Sequence, residues 1–201
     1  MAVAAAAPES GGDGPVTSLT PVPEELASLL LSRIRDVADY PKPGVMFKDI
    51  SPLLADPAAF TALTETLAER CAEFSATKVV GLEARGFILA APVAIRAGVG
   101  FVPVRKAGKL PGPTLGQAYE LEYGTAEIEL QANALGSDDR VLVIDDVLAT
   151  GGTAEASLQL IRRAGAEVAG IGVLLELGFL AGRHRLKQSL NGAPLEALIT
   201  V

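Results

Sequence analysis

Val141-Leu142-Val143-Ile144 is a short, wholly apolar run, and Asp145-Asp146 follows it at once. Four apolar residues without a polar interruption predict a strand covered on both faces. Beyond the acids lie Val147-Leu148-Ala149-Thr150-Gly151-Gly152-Thr153, and a helix is expected from Thr153 to about Ala164, ended by Gly165. A doubly covered strand that feeds a helix through a short loop belongs to an α/β protein with a mainly parallel, twisted sheet flanked by helices.

The rest of the chain repeats that pattern. Lys78–Leu82, Gly100–Arg105 and Val168–Leu175 read as strands, and Ala126–Leu130 alternates as a half-exposed one. Phe87 to about Ala97 reads as a helix. Upstream, apolar spacing of three and four predicts a helix from Glu24 to Ala38, and Asp56-Pro57 signals a helix start that runs toward Phe74. Tyr40-Pro41-Lys42-Pro43-Gly44 reads as a turn, with a short extended piece at Phe47–Ile50. Residues 1–23, rich in Ala, Gly, Pro and Ser, are expected to be a disordered tail; 24–201 form one domain, in which 24–56 contribute a small N-terminal hood.

Composition excludes several classes. The 201 residues carry 17 basic and 24 acidic side chains, a net charge of −7, which is poor for a general nucleic-acid binder. A single Cys and a single His exclude a disulfide framework and a Cys/His zinc centre, and a lone thiol suits a reducing compartment. The longest apolar stretches fall well short of the ~20 residues a bilayer helix needs. Met1–Ala7 has no nearby basic residue, so no secretory signal and a cytoplasmic location are expected. Cys71 reads as a packed helix residue and His184 as part of a solvated turn.

The turn after the acidic strand carries the chemistry. Backbone N–H groups at a helix N-terminus face outward, the helix dipole adds positive character, and glycines admit a phosphate close to the backbone. No Lys follows the glycines, so this is no Walker loop, and the spacing of a dinucleotide fingerprint is absent. Two acids beside a phosphate cradle repel the phosphate unless they serve another group, and the vicinal hydroxyls of a ribose are such a group. A ribose 5-phosphate unit is the expected ligand. Taken singly, Asp-Asp is as well explained as a solvated strand end and Gly-Gly as a plain turn; their coincidence with the strand and the hydroxyls favours the ligand. Ala84–Tyr119 adds Arg85, Arg96, Arg105, Lys106 and Lys109 with no acid among them, a cationic island suited to phosphoryl groups. Arg96 reads as a solvated helix charge.

The Val141–Thr153 stretch resembles the phosphoribosyl-diphosphate motif of the type I phosphoribosyltransferases. Three other segments are similar to those of the adenine-specific branch. Tyr40–Pro52 looks like its base-binding segment, and Gly81-Leu82-Glu83-Ala84-Arg85-Gly86-Phe87 like its diphosphate loop. Val104–Pro111 with Tyr119-Glu120-Leu121-Glu122-Tyr123-Gly124 looks like its flexible catalytic loop. The segments run in the family's order from about Leu26 to Leu186. Lys48 stands where the family often has Arg.

The resemblance implies transfer of 5-phosphoribose from phosphoribosyl diphosphate to adenine N9, giving AMP and diphosphate. It implies that Asp145 and Asp146 hold the ribose hydroxyls and that Ala149, Thr150, Gly151, Gly152 and Thr153 hold the 5-phosphate. Arg85 would neutralise the departing diphosphate with Lys106, and with Arg105 reaching across a homodimer, and Lys109 would also bind substrate. Glu122 would handle the proton at adenine N7, and Tyr123 would help close the loop. Met46 and Lys48 would offer backbone groups to the adenine edge, and Leu177 would pack on its face. Mg²⁺ is the implied cofactor, held mainly by substrate oxygens and water rather than by a protein metal site. A cis peptide before the Arg of the diphosphate loop is also implied. A nucleotide-sensing regulator and a transferase for another base are the competing readings. The first lacks room for an added DNA-binding domain, and the second fits Tyr40–Phe47 less well.

Overall fold

The computed structural model describes residues 21–120 and 124–201. The elements run α1 (Glu24–Ser32), β1 (Arg35–Val37), β2 (Phe47–Asp49), α2 (Ser51–Ala55), α3 (Pro57–Glu73), β3 (Lys78–Leu82), α4 (Arg85–Ala97) and β4 (Gly100–Lys106). They continue with β5 (Thr114–Glu120), β6 (Thr125–Gln131), β7 (Arg140–Leu148), α5 (Gly152–Arg163), β8 (Glu167–Glu176), a single 3-10 turn (Gly178–Leu180), α6 (Gly182–Leu190) and β9 (Leu195–Thr200).

Seven strands form one sheet in the order β5-β6-β4-β3-β7-β8-β9. The five strands from β4 to β9 are mutually parallel, and β6 and β5 join antiparallel at one edge. Strand periodicity sorts the core into two layers. Val79 of β3 and Leu142 and Ile144 of β7 face α3 and α4; Val80 and Leu82, with Val141 and Val143, face α5 and α6. The chain leaves β3 through α4 toward one edge of the sheet and leaves β7 through α5 toward the other. The carboxyl ends of β3 and β7 therefore flank a topological switch point, where open α/β sheets hold their ligands.

The expected helix starts and strands recur with some differences. Asp56 caps α3 by accepting from the amides of Ala58 and Ala59 at 3.0 and 3.2 Å. The helix expected to reach Ala38 ends at Ser32, because residues 35–37 pair with β2 instead. That small antiparallel ribbon is laced by ion pairs between Arg35 and Asp49 at 2.5 Å and between Lys48 and Asp36 at 2.7 Å. The acidic pair does not end β7 but lies within it, since β8 continues to pair opposite Asp145, Val147 and Leu148. His184 lies in α6 and not in a turn: Leu186 and Leu190, one helical turn apart, bury that helix's inner side. The expected tail lies almost wholly in residues 1–20, outside the described residues. Among the described residues, no helix is long and apolar enough to cross a membrane.

Candidate active site

Period-two alternation along β7 sends its two acids to different surroundings. Asp146 shares the parity of Leu142 and Ile144 and is only 3% exposed. Asp145 shares the parity of Val143 and Val147. With them and Ala149–Thr153 it lines a cavity of about 90 Å³ beyond the strand ends. Asp145 Oδ1 accepts the amide of Asp146 at 2.9 Å. Burial, together with the charge of Asp146, pushes the Asp145 carboxyl well above the usual carboxylate range. Burial raises Asp146 too, and the Arg85 guanidinium opposes that rise.

Arg85 is the first residue of α4 and not, as expected, part of a loop preceding that helix. Its Nε lies 2.6 Å from Asp146 Oδ2. The contact is an ion pair without hydrogen-bond alignment, and Asp146 Oδ2 is the one buried side-chain polar atom among the described residues that lacks a hydrogen-bond partner. The Arg85 guanidinium also lies over the Phe47 ring, 4.8 Å from its centroid, which ties β2 to the end of β3. Gly86 lets α4 come this near: a Cβ there would sit 2.8 Å from Asp145 Oδ1 and 2.9 Å from the Ile144 carbonyl oxygen. The Glu83–Ala84 peptide is cis, one bond before the one preceding Arg85.

The glycine turn is built as the sequence suggests. Gly151 adopts φ +81°, open to a residue without a Cβ, and Gly152 starts α5. Tyr119 of β5 reaches the same turn, with Thr153 Oγ1 3.3 Å from its hydroxyl. Arg105 donates to Glu83 Oε2 at 3.3 Å and to the Lys109 carbonyl at 3.2 Å, and the Lys106 amide donates to the same Glu83 oxygen at 2.8 Å. The Lys106 and Lys109 side chains are exposed. Met46 is exposed on the approach to β2, Lys48 is half-buried in its pair with Asp36, and Leu177 packs partly against the α3–α4 core layer. Glu122 and Tyr123 lie outside the described residues.

The structure thus brings Asp145 and the Ala149–Thr153 turn to one cavity, sets Arg85 against Asp146 beside it, and joins Arg105 and Lys106 through Glu83 to the loop after β3. Phe47, Glu83 and Tyr119 join these residues without any signal of their own in the sequence, although all three lie within the segments that carry the resemblance. Among the described residues, no three His, Cys, Asp or Glu side chains converge on a metal position. The carboxylates of Asp145 and Asp146 are hard oxygen donors at the crevice, compatible with a Mg²⁺ that would take most of its oxygens from substrate and water.

Acids within a strand, a glycine turn opening the next helix and a cation at the neighbouring strand end define a phosphoribosyl transferase. The chain belongs to that family: residues 49–192 match the phosphoribosyl transferase domain. An adenine phosphoribosyltransferase of Streptomyces coelicolor is 75% identical over 179 residues, 89% of this chain and 98% of that protein. The crystal structure of adenine phosphoribosyltransferase from Rhodothermus marinus superposes with a TM-score of 0.82 at 47% identity, covering 88% of this chain and 99% of that one. The Trypanosoma brucei adenine phosphoribosyl transferase, solved with AMP, pyrophosphate and ribose-5-phosphate, superposes at 0.80 with 25% identity, covering 90% of this chain and 82% of that one. Within the family, this chain's place is among the adenine phosphoribosyltransferases.

Proposed function

We propose that this chain transfers 5-phosphoribose from phosphoribosyl diphosphate to adenine N9, releasing diphosphate and forming AMP. The observation that carries the reading is the placement of Asp145 and the Gly151-Gly152 turn around one small cavity, with Asp146 beside it paired to Arg85. The amides of the turn and the hydroxyls of Thr150 and Thr153 take the 5-phosphate. Asp145 and Asp146 accept hydrogen bonds from the ribose 2- and 3-hydroxyls. Those bonds give the carboxylates the partners that burial otherwise denies them.

Bond breaking at ribose C1 leaves positive charge on the sugar and negative charge on the departing diphosphate. Arg85, at the start of α4, faces that diphosphate with a planar fork matched to phosphoryl oxygens. Lys106 and Lys109 add positive charge from the loop after β4, and Arg105 acts from the partner in a homodimer. Mg²⁺ would be held mainly by substrate oxygens and water near the Asp145 and Asp146 carboxylates, and would supply positive charge against the departing diphosphate. Glu122 handles the proton at adenine N7, and Tyr123 closes the loop over the sugar and excludes water that would compete with the base. Residues 24–56 serve as the hood over the base. Backbone groups of Met46 and Lys48 meet the adenine edge and Leu177 covers its face, so that Lys48, engaged by Asp36, needs no guanidinium for this task. A cytoplasmic location accords with the single buried thiol of Cys71, which burial pushes up to about 11.

Steady-state assay of diphosphate release from phosphoribosyl diphosphate and Mg²⁺ tests the proposal with adenine, hypoxanthine and guanine in turn. A 6-oxo purine presents an acceptor where adenine presents a donor, and unpaired polar groups then cost about 10⁴-fold in kcat/KM. Comparable values for the three bases would end the adenine assignment.

A further inference from the structure

The reading above places a phosphate dianion on a turn that has no cation of its own. Residues 141–155 contain three acids, Asp145, Asp146 and Glu155, and no Lys or Arg. Backbone amides and the helix dipole supply only partial charge. A cation must come from elsewhere in the fold, and α6 brings one.

The start of α6 is locked against the turn. A Cβ on Gly182 would lie 2.1 Å from the Ala149 carbonyl oxygen and 3.2 Å from the Gly151 nitrogen, so only glycine permits this approach. Arg185 follows within the first turn of α6. Its Nε donates to Glu155 Oε2 at 2.8 Å, and Ser189 Oγ donates to Glu155 Oε1 at 3.0 Å. Glu155, in the first turn of α5, is thereby held at both oxygens and fixes the direction of the guanidinium. The rest of the fork faces the phosphate turn: a Cβ on Gly152 would lie 3.4 Å from Arg185 Nη1 and 3.7 Å from its Cζ. Nη1 and Nη2 carry no hydrogen bond to the described residues. Arg183 is committed elsewhere, to Glu176 and to the Leu195 carbonyl.

We infer that Arg185 is a side-chain ligand of the substrate 5-phosphate, aimed by Glu155 and Ser189. This rests on the transferase reading and adds to it the counter-charge that the turn lacks. The guanidinium binds the same group in substrate and product, so its loss weakens binding more than turnover.

Calorimetry of the full chain with AMP and with adenosine, alongside KM for phosphoribosyl diphosphate, tests the inference in R185Q and R185K. Loss of a charged hydrogen bond predicts that R185Q weakens AMP and raises that KM by about tenfold or more. Adenosine affinity and kcat should stay within about twofold. R185K, which keeps the charge but loses the fork, should fall between the two. Unchanged AMP affinity in R185Q would overturn the inference, and so would equal weakening of AMP and adenosine, the mark of a purely structural residue. If the unaltered chain neither binds AMP nor consumes adenine, the transferase reading fails, and the role of Arg185 fails with it. Failure confined to the variants counts against Arg185 alone.

Discussion

The Asp145 carboxyl is held above its ordinary range because burial and the adjoining Asp146 both penalise its charge. A carboxyl whose pKa is higher folded than unfolded binds more protons in the folded state. Its contribution therefore favours folding below the unfolded value near 3.8 and is lost as pH rises through the folded value. D145N removes a charge that its buried surroundings and Asp146 support poorly, and its amide oxygen can still accept the Asp146 N–H. The variant should melt about 2–4 °C higher at pH 7, with the difference vanishing toward pH 4, while kcat/KM falls by about 100-fold or more. Thermal melts across pH check the first part, and a melting point unchanged at pH 7 would contradict it. At Gly86 the constraint is steric. A methyl group 2.8 Å from Asp145 Oδ1 and 2.9 Å from the Ile144 carbonyl must push α4 away. G86A should lose about 1–3 kcal/mol in urea unfolding and lose activity as Arg85 moves with its helix.

Elements whose pattern is local were the ones legible in sequence. β3 was expected at Lys78–Leu82 and forms there, since its buried run needs no distant partner to be recognised. The Asp56 cap of α3 was equally plain. D56A removes the cap and the 2.7 Å pair with Arg33 and should cost about 1 kcal/mol in chemical unfolding. What escaped depends on partners remote in sequence. β5 is half-polar and contains Gly116, and only its register against β6 makes it a strand. β9 buries Glu196 because Arg70, 126 positions earlier, is there to receive it. The helix expectation runs past the end of α1 because the spacing of Ile34 and Val37 suits a helix, whereas pairing with β2 claims Arg35–Val37 for a ribbon. The acids and glycines of the site were legible from their own segment. Arg185 was not, because α6 has only Leu186 and Leu190 to mark its inner side, and the meeting of α6 with the phosphate turn is a tertiary fact.

At the scale of the whole molecule, α4 leaves Ile88 45% and Ile95 83% exposed two turns apart, and Phe101 of β4 is 36% exposed and stacks edge-on with Phe87. Exposed apolar side chains of this kind suit the proposed homodimer. I95E should shift sedimentation toward a monomer and lower activity if Arg105 serves the neighbouring crevice; an unchanged assembly would remove Ile95 from the contact. The crevice itself is addressed most directly by a crystal structure of the protein with AMP. The phosphate should lie on the amides of Thr150–Thr153, with the ribose hydroxyls on Asp145 and Asp146. A nucleotide bound elsewhere, or held in this crevice with its phosphate away from the glycine turn, would contradict the account.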